Sequence, residues 1–339
     1  MGALTEAPHH RHPIRVQEDV GALRRAVWQA ASGVPGVRPG DAALAATELA
    51  TNIVRHASDG GYLLYRPLVR GLELVAVDRG PGMLVPWRPS DVPAPPGSAG
   101  LGVGLAGVER LASAFDLYSV RGEGTVVLTR LGTPPSSRSA PLRWGGVDVP
   151  LSGAGESGDA WAVAPSGSRL AAVVVDGLGH GARAHAGSTA ALAELGDRPA
   201  DNLAGYVSRA HEAMRGTRGG VLGICAIDPG KEELSYVGVG NVTGQVLLGD
   251  ATTGLLSREG TLGTTLEMPH VRLASYRWGP GATLVLASDG LRGRGNLLSG
   301  PGLLSHDPTV IAAAIHRDGE RGTDDATVLV VRDEREPAA

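Results

Sequence analysis

Four aspartates in the second half of the chain each stand at the end of an apolar run. Asp176 closes Leu170-Ala-Ala-Val-Val-Val-Asp-Gly, and Asp289 closes Thr283-Leu-Val-Leu-Ala-Ser-Asp-Gly. Asp324 lies just ahead of Thr327-Val-Leu-Val-Val, and Asp159 opens the run Trp161-Ala-Val-Ala. Short apolar runs bounded by turn residues read as buried strands. The run from Trp161 turns at Pro165-Ser-Gly-Ser and returns toward Asp176, so a hairpin about Ser166–Arg169 sets Asp159 opposite Asp176. Carboxylates gathered at one sheet end repel one another unless cations bind between them. Hard oxygen ligands favour Mg2+ or Mn2+, and a pair of such ions activates water for phosphoester hydrolysis. Each Asp-Gly pair also has a plainer reading as a turn, because both residues accept turn geometry. A turn accounts for any one of them; four at matched strand ends ask for more.

The chain has 339 residues, enough for two domains with cores of their own. Its net charge of −4 gives no basic footprint, so nucleic acid is not an expected partner. No apolar stretch approaches the length of a membrane span, and His9-His10-Arg11-His12 lacks the apolar core of a signal peptide. The single cysteine, Cys225, lies in the apolar run Gly223-Ile-Cys-Ala-Ile and reads as a buried structural thiol. These features predict a cytoplasmic protein.

The clearest break is Thr133-Pro-Pro-Ser-Ser-Arg-Ser-Ala-Pro141, a segment without apolar period that reads as a linker. The expected division is a first domain over 1–132, the linker over 133–141 and a second domain over 142–333. In the first, Asp41 to about Ala57 is an Ala-rich helix with Asp41 as N-cap. Leu72–Val77 reads as a strand, Val103–Ala114 as a helix opened by glycines, and Val126–Leu131 as a final strand. After the linker, strand signals dominate: 146–149, 161–164, 170–175, 221–227, 234–239, 245–248, 283–287 and 327–331. Helical patterns interrupt them near 182–195, 201–215 and 308–316. The pattern predicts an α/β (α+β) protein: a sheet with helices packed on it, followed by stacked sheets flanked by helices.

Within the first domain, Glu48, Asn52 and His56 recur at spacing four and share one helix face. A carboxylate and a carboxamide one turn apart suit a general base and a Mg2+ ligand; a solvated face explains the same spacing. Asp78-Arg-Gly-Pro-Gly82 ends a strand in a tight turn, leaving an Asp to accept from a base amino group. Gly100-Leu-Gly-Val-Gly-Leu105 runs directly into a helix, where glycine amides and the helix N-terminus hold phosphate. Gly122-Glu-Gly-Thr125 follows on the last strands.

In this order the four elements resemble the nucleotide-binding GHKL fold of histidine kinases, gyrase and Hsp90-type ATPases. Thr47-Glu-Leu-Ala-Thr-Asn-Ile-Val-Arg-His-Ala57, Asp78-Arg-Gly-Pro-Gly-Met83 and Gly100 through Leu111 are similar to the RsbT-like anti-sigma-type serine/threonine kinases. The resemblance covers about residues 14–131 and implies ATP and Mg2+ as cofactors. It implies Glu48 as base, Asn52 as Mg2+ ligand and Asp78 as adenine reader. Gly80, Gly82, Gly100, Gly102 and Gly104 would shape the pocket, with Thr125 beneath the adenine. His56 has a packing role or a catalytic one. No phosphoacceptor-histidine helix pair precedes the domain, which argues against a histidine kinase.

In the second half, Gly155-Glu-Ser-Gly-Asp159, Asp176-Gly-Leu-Gly-His-Gly181, Gly238-Val-Gly-Asn-Val242, Ser288-Asp-Gly290 and Thr323-Asp-Asp-Ala-Thr327 occur in sequence. They resemble the PPM-type metal-dependent serine/threonine phosphatases, in their SpoIIE/RsbX branch, over about residues 143–332. The implied fold is an α-β-β-α sandwich, and the implied ligands of two Mn2+ or Mg2+ ions are Asp159, Asp176, Asp289, Asp324 and the Gly177 carbonyl. Asp325 reads as a capping residue. His180 is a candidate acid, although it follows Asp-Gly-Leu-Gly instead of standing directly after Asp-Gly as in larger relatives. The two resemblances imply a kinase and a phosphatase in one chain, acting on a STAS-domain protein of a bacterial partner-switching or stressosome pathway. An alternative makes the first domain a nucleotide sensor or binding module that gates the phosphatase; a third makes the chain a non-enzymatic scaffold.

Overall fold

The computed structural model describes residues 4–83, 104–133, 138–151, 155–196, 199–292 and 295–336. It falls into two compact units. The first comprises His9–Pro135 together with Pro301–Arg317; the second comprises Met1–Pro8, Ser136–Gly300 and Asp318–Ala339. Among the described residues no helix is long and apolar enough to cross a membrane.

The first unit is built on one antiparallel sheet, in the order His10–Ile14, Gly61–Leu68, Gly71–Asp78, Gly124–Gly132 and Ala114–Val120. Helices Gln17–Ala31, Pro39–His56 and Gly104–Leu111 join alternate strand residues in one apolar core, with Leu63, Leu72, Leu74, Ala76, Val127 and Leu131 facing them. The long helix forms because Ala42, Ala45, Ala46, Leu49, Ala50 and Ile53 make a continuous apolar stripe, begun by Pro39 at its first position. Its start is therefore Pro39, two residues before Asp41. The helix predicted from Val103 stops at Leu111, because Ala114-Phe-Asp-Leu-Tyr-Ser-Val120 pairs with Gly124–Arg130 as a strand.

The opposite sheet face carries charge. Register sets Arg66, Glu73 and Arg130 side by side across three strands, and all three are buried. Glu73 accepts from Arg66 Nε at 2.8 Å and Arg130 Nε at 2.7 Å, and His9 Nε2 lies 3.2 Å from it. Burial alone would raise the Glu73 carboxyl, but Arg66, Arg130 and His9 overcome it and hold the group well below the usual range.

The second unit stacks two six-stranded antiparallel sheets. One runs Leu4–Thr5, Asp159–Ser166, Arg169–Gly177, Gly220–Asp228, Glu233–Val239, Ala274–Arg277; the other runs Ala251–Leu255, Thr243–Leu248, Thr283–Ala287, Ala326–Asp333, Leu142–Val149, Arg138–Ser139. Between them lies a core containing the buried Trp144, Trp161 and Trp278. Helices Ala182–Ala193 and Leu203–Met214 cover the outer face of the first sheet, where Ala171, Val173 and Val175 meet Tyr206, Val207 and Met214. Cys225 is fully buried in the inter-sheet core, and burial pushes its thiol up to about 12, so it packs as a small apolar group.

Candidate active sites

The hairpin Asp159–Ser166/Arg169–Gly177 closes so that Ser166 pairs with Arg169 and Asp159 pairs with Asp176. Asp289 follows the strand Thr283–Ala287, and Asp324 precedes the strand Ala326–Asp333, which pairs with it. These elements bring the carboxylates within electrostatic reach. Burial first, then the charges of Asp289, Asp324 and Asp325, push Asp176 up to about 7. Burial also drives Asp159 well above the carboxylate range, with Asp176, Asp148 and Asp325 adding to it and a Ser288 hydrogen bond opposing.

Asp289 and Asp324 accept hydrogen bonds from nearby donors. Asp289 Oδ2 accepts from Asn241 Nδ2 at 2.7 Å, and Asp324 Oδ1 accepts from the Asp325 amide at 2.9 Å. Asp325, buried, accepts from the amides of Leu151 and Gly158, both at 2.6 Å, and so pins the ends of the loop before Asp159. Ser157 Oγ donates to Asp148 at 2.6 Å and accepts from the Asp159 amide at 3.2 Å. Asp159 Oδ2 is buried without a hydrogen-bond partner. Leaving such an oxygen bare costs about 1–3 kcal/mol or more. As they stand, no three acidic, His or Cys side chains among the described residues are grouped tightly enough to hold a metal ion. The bare Asp159 oxygen and the raised Asp176 nevertheless suit a divalent cation, which would supply the missing positive charge. Gly177 ends the strand after Asp176 in a crowded position, where a Cβ would stand 2.2 Å from the Ala184 carbonyl oxygen. His180 is exposed.

In the first unit, a cavity of about 640 Å3 is lined by Leu49, Asn52, Ile53, His56, Ala76, Asp78, Pro81, Gly82, Met83, Leu105, Thr125 and Val127. Asp78 Oδ1 accepts from the Gly80 amide at 2.8 Å, and burial raises the carboxyl above its ordinary value. Gly80 has no room for a side chain, since a Cβ would lie 2.9 Å from the His56 carbonyl oxygen. Gly82 takes φ +67°, where a Cβ would meet the Val120 carbonyl oxygen at 2.2 Å. Thr125 Oγ1 lies 3.0 Å from Ser119 Oγ. Glu48 is buried, and its Oε2 accepts from the Gly104 amide at 3.3 Å where the helix Gly104–Leu111 begins. Gly100 and Gly102 lie outside the described residues. The cavity is lined mainly by apolar residues together with the half-buried acid Asp78, which suits a flat heteroaromatic ring bearing an amino donor.

Residues 166–333 match the family model of stage II sporulation protein E (SpoIIE), and residues 15–131 match that of the histidine kinase-like ATPase domain. The chain joins an ATPase domain of the histidine-kinase type to a SpoIIE domain. The serine/threonine-protein kinase RsbT of Bacillus subtilis (strain 168) is 41% identical over 86 residues, which are 24% of this chain and 64% of that protein. This chain therefore spans 64% of the length of that curated relative. A solved structure described as "The bacterial stressosome: a modular system that has been adapted to control secondary messenger signaling" aligns with a TM-score of 0.52 and 25% identity. It covers 56% of this chain and 99% of its own. The PP2C phosphatase domain with a fragment of the regulatory domain of SpoIIE from Bacillus subtilis is 19% identical, with a TM-score of 0.48, covering 79% of this chain and 80% of that one.

In the second unit, Asp148, Ser157, Asn241 and Ser288 act on these aspartates in ways that sequence reasoning did not assign. Asn241 stands in a glycine motif already conspicuous in the sequence; Asp148 closes a strand beside Pro150, a signal like that of the other four aspartates. The Asp176 shift also sets a pH dependence. Its value is about 7 in the fold against 3.8 for the unperturbed group. Between those values the unfolded chain gives up its proton while the fold keeps it, so metal-free stability is greatest below the lower value and falls as pH rises through the upper. Thermal melting of EDTA-treated protein is expected to show the SpoIIE domain less stable at about pH 8 than at about pH 5.5, with Mn2+ restoring it at pH 8. A metal-free midpoint that rises over that interval would count against the carboxylate cluster.

Proposed function

We propose that the SpoIIE domain is a metal-dependent protein phosphoserine/phosphothreonine phosphatase and that the ATPase domain is a protein serine/threonine kinase. Both would act on a STAS-domain antagonist or stressosome protein in a cytoplasmic partner-switching pathway. The observation that carries the reading is the convergence of Asp159, Asp176, Asp289 and Asp324 on one charge cluster, with a buried carboxylate oxygen left without a donor. The RsbT likeness and the stressosome likeness support the substrate class.

In this reading Asp159, Asp176, Asp289, Asp324 and the Gly177 carbonyl hold two Mn2+ or Mg2+ ions. Those ions supply the positive charge that activates water and offsets charge on the phosphoryl oxygens. Asp325 holds the amides of Leu151 and Gly158, and Asn241 orients Asp289. In the ATPase domain Asp78 receives the adenine amino group above Thr125, Asn52 binds the Mg2+ that accompanies ATP, and Glu48 takes the proton of the acceptor hydroxyl. Gly80, Gly82, Gly100, Gly102 and Gly104 let the backbone approach the nucleotide. One chain bearing both activities holds them at high effective concentration around one target.

Hydrolysis of p-nitrophenyl phosphate that needs Mn2+ and stops with EDTA tests the phosphatase; absence of hydrolysis would overturn it. For the kinase, Glu48→Ala is expected to lower phosphate transfer from labelled ATP to a STAS protein by about 100-fold or more, the usual range for a general base, while nucleotide affinity stays within a few-fold. Unchanged transfer would remove Glu48 as base. The hydrogen bond from the Gly104 amide to Glu48 favours a second reading, in which the carboxylate anchors the helix and the domain only senses nucleotide. Labelled ATP then leaves every STAS partner unlabelled.

A further inference from the structure

The charged face of the ATPase domain's sheet does more than bury three ionic side chains. Arg130, held to Glu73 by its Nε, donates from Nη1 to Asp307 at 3.0 Å and from Nη2 to Thr309 Oγ1 at 2.7 Å. Asp116 accepts from the Asp307 amide at 2.6 Å and lies 2.8 Å from His306 Nδ1. Tyr62 Oη lies 3.1 Å from His316 Nδ1, and every residue from Pro308 to Arg317 is buried. The segment is grasped along its length, and its last grip is at the nucleotide cavity. Arg79, between the adenine-reading Asp78 and Gly80, donates to the Arg317 carbonyl. The charge of Arg317 also bears on Asp78.

Arg317 runs straight into Asp318-Gly319-Glu320-Arg321, which leads to Asp324. Within the SpoIIE unit that stretch is zipped to the residues after Asp289. The Arg292 amide donates to the Gly319 carbonyl at 2.8 Å, the Arg321 amide donates to the Gly290 carbonyl at 3.1 Å, and Leu291 bridges Glu320. Gly290 in turn has no room for a Cβ, which would stand 1.9 Å from the Asp325 carbonyl oxygen. A shift at Arg317 is thus passed to the backbone that carries both Asp289 and Asp324.

We propose that Pro301–Arg317 is a relay by which nucleotide in the Asp78 cavity regulates hydrolysis at the Asp176 cluster, with Arg79 as its positioning residue. The inference rests on the two-site reading above. The Asp78 carboxylate now accepts from the Gly80 amide, so an adenine amino group competing for it changes the turn that aims Arg79. That difference between the empty and filled cavity is what a coupling requires. Coupling of ordinary size changes the second site's response by about 5- to 150-fold.

The test uses the full chain with saturating Mn2+, with and without ADP. Two things are read: p-nitrophenyl phosphate turnover, and hydrogen exchange of the amides at 290–292 and 319–325. Wild type is expected to change turnover at least about 5-fold and to alter exchange in both stretches when ADP binds. Arg79→Ala should bind ADP with unchanged affinity, keep the ADP-free turnover and lose both responses, while Arg79→Lys keeps part of them. ADP that binds wild type without moving either readout overturns the relay and leaves the enzymatic reading intact. An Arg79→Ala protein that still responds overturns Arg79 as its positioning residue. Turnover absent from every protein defeats the phosphatase reading, and exchange then decides the relay by itself.

Discussion

Replacing Asp176 by Asn is expected to abolish Mn2+-dependent phosphate release and, in the same protein, to raise metal-free stability. Asp176 sits between Asp159, its cross-strand partner, and the charges of Asp289, Asp324 and Asp325, which with burial push it up to about 7. The amide is nearly the same shape but lacks the negative charge that would help hold a divalent cation. Losing metal-derived stabilisation of the transition state is worth several kcal/mol, so turnover should fall by about a thousand-fold or more. Without metal, the carboxylate is a cost to the fold, since burial and the neighbouring charges push it up to about 7 while the unfolded chain gives up its proton well below that. The gain in Asp176→Asn should be on the order of 1–3 kcal/mol at pH 8. Paired measurements of turnover and of melting in EDTA check this. Lost turnover with lowered metal-free stability would mean ordinary misfolding, and full turnover would remove Asp176 from the site.

The second large effect concerns residues outside both candidate sites. Glu73→Ala leaves Arg66 and Arg130 buried with their shared carboxylate gone, and His9 loses its partner on that residue. Breaking a buried ion pair from one side costs about 3–5 kcal/mol, because the remaining charge stays desolvated. Urea unfolding of the ATPase domain should show a loss of that size. A loss below about 1 kcal/mol for Glu73→Ala would show that water reaches the network.

How much of this could be read from residues follows from where each signal is local. The Asp159/Asp176 pairing was legible because a short hairpin fixes register from its turn, and Ser166 does pair with Arg169. The long helix was legible from its apolar stripe, although its beginning is set by Pro39 and not by the Asp41 cap. The helix Gln17–Ala31 was missed although Val20, Leu23, Val27 and Ala31 carry the required spacing; Val16 at the N-cap gives no side-chain signal, and Asp19 caps from inside. Strand Gly61–Leu68 hides behind Pro67 and Arg66, residues that argue against a buried strand until their partners are known. Glu73 and Arg130 are charged residues inside apolar strand runs, and Asp307, a partner of Arg130, lies 177 residues away, beyond any reading of local pattern. The same distance concealed the capture of Pro301–Arg317 by the first unit. In the carboxylate cluster, the strand-end aspartates announced themselves, while Asn241 and Ser288 stood in quoted motifs but gained a role only through their contacts with Asp289 and Asp159.

The measurement that bears most directly on the acidic cluster is anomalous diffraction at the manganese edge from crystals soaked in Mn2+. Two peaks enclosed by Asp159, Asp176, Asp289 and Asp324, with the Asp159 oxygen that now lacks a donor among the ligands, are the predicted result. Saturating Mn2+ with no peak at those side chains, while phosphate release continues, would contradict the account.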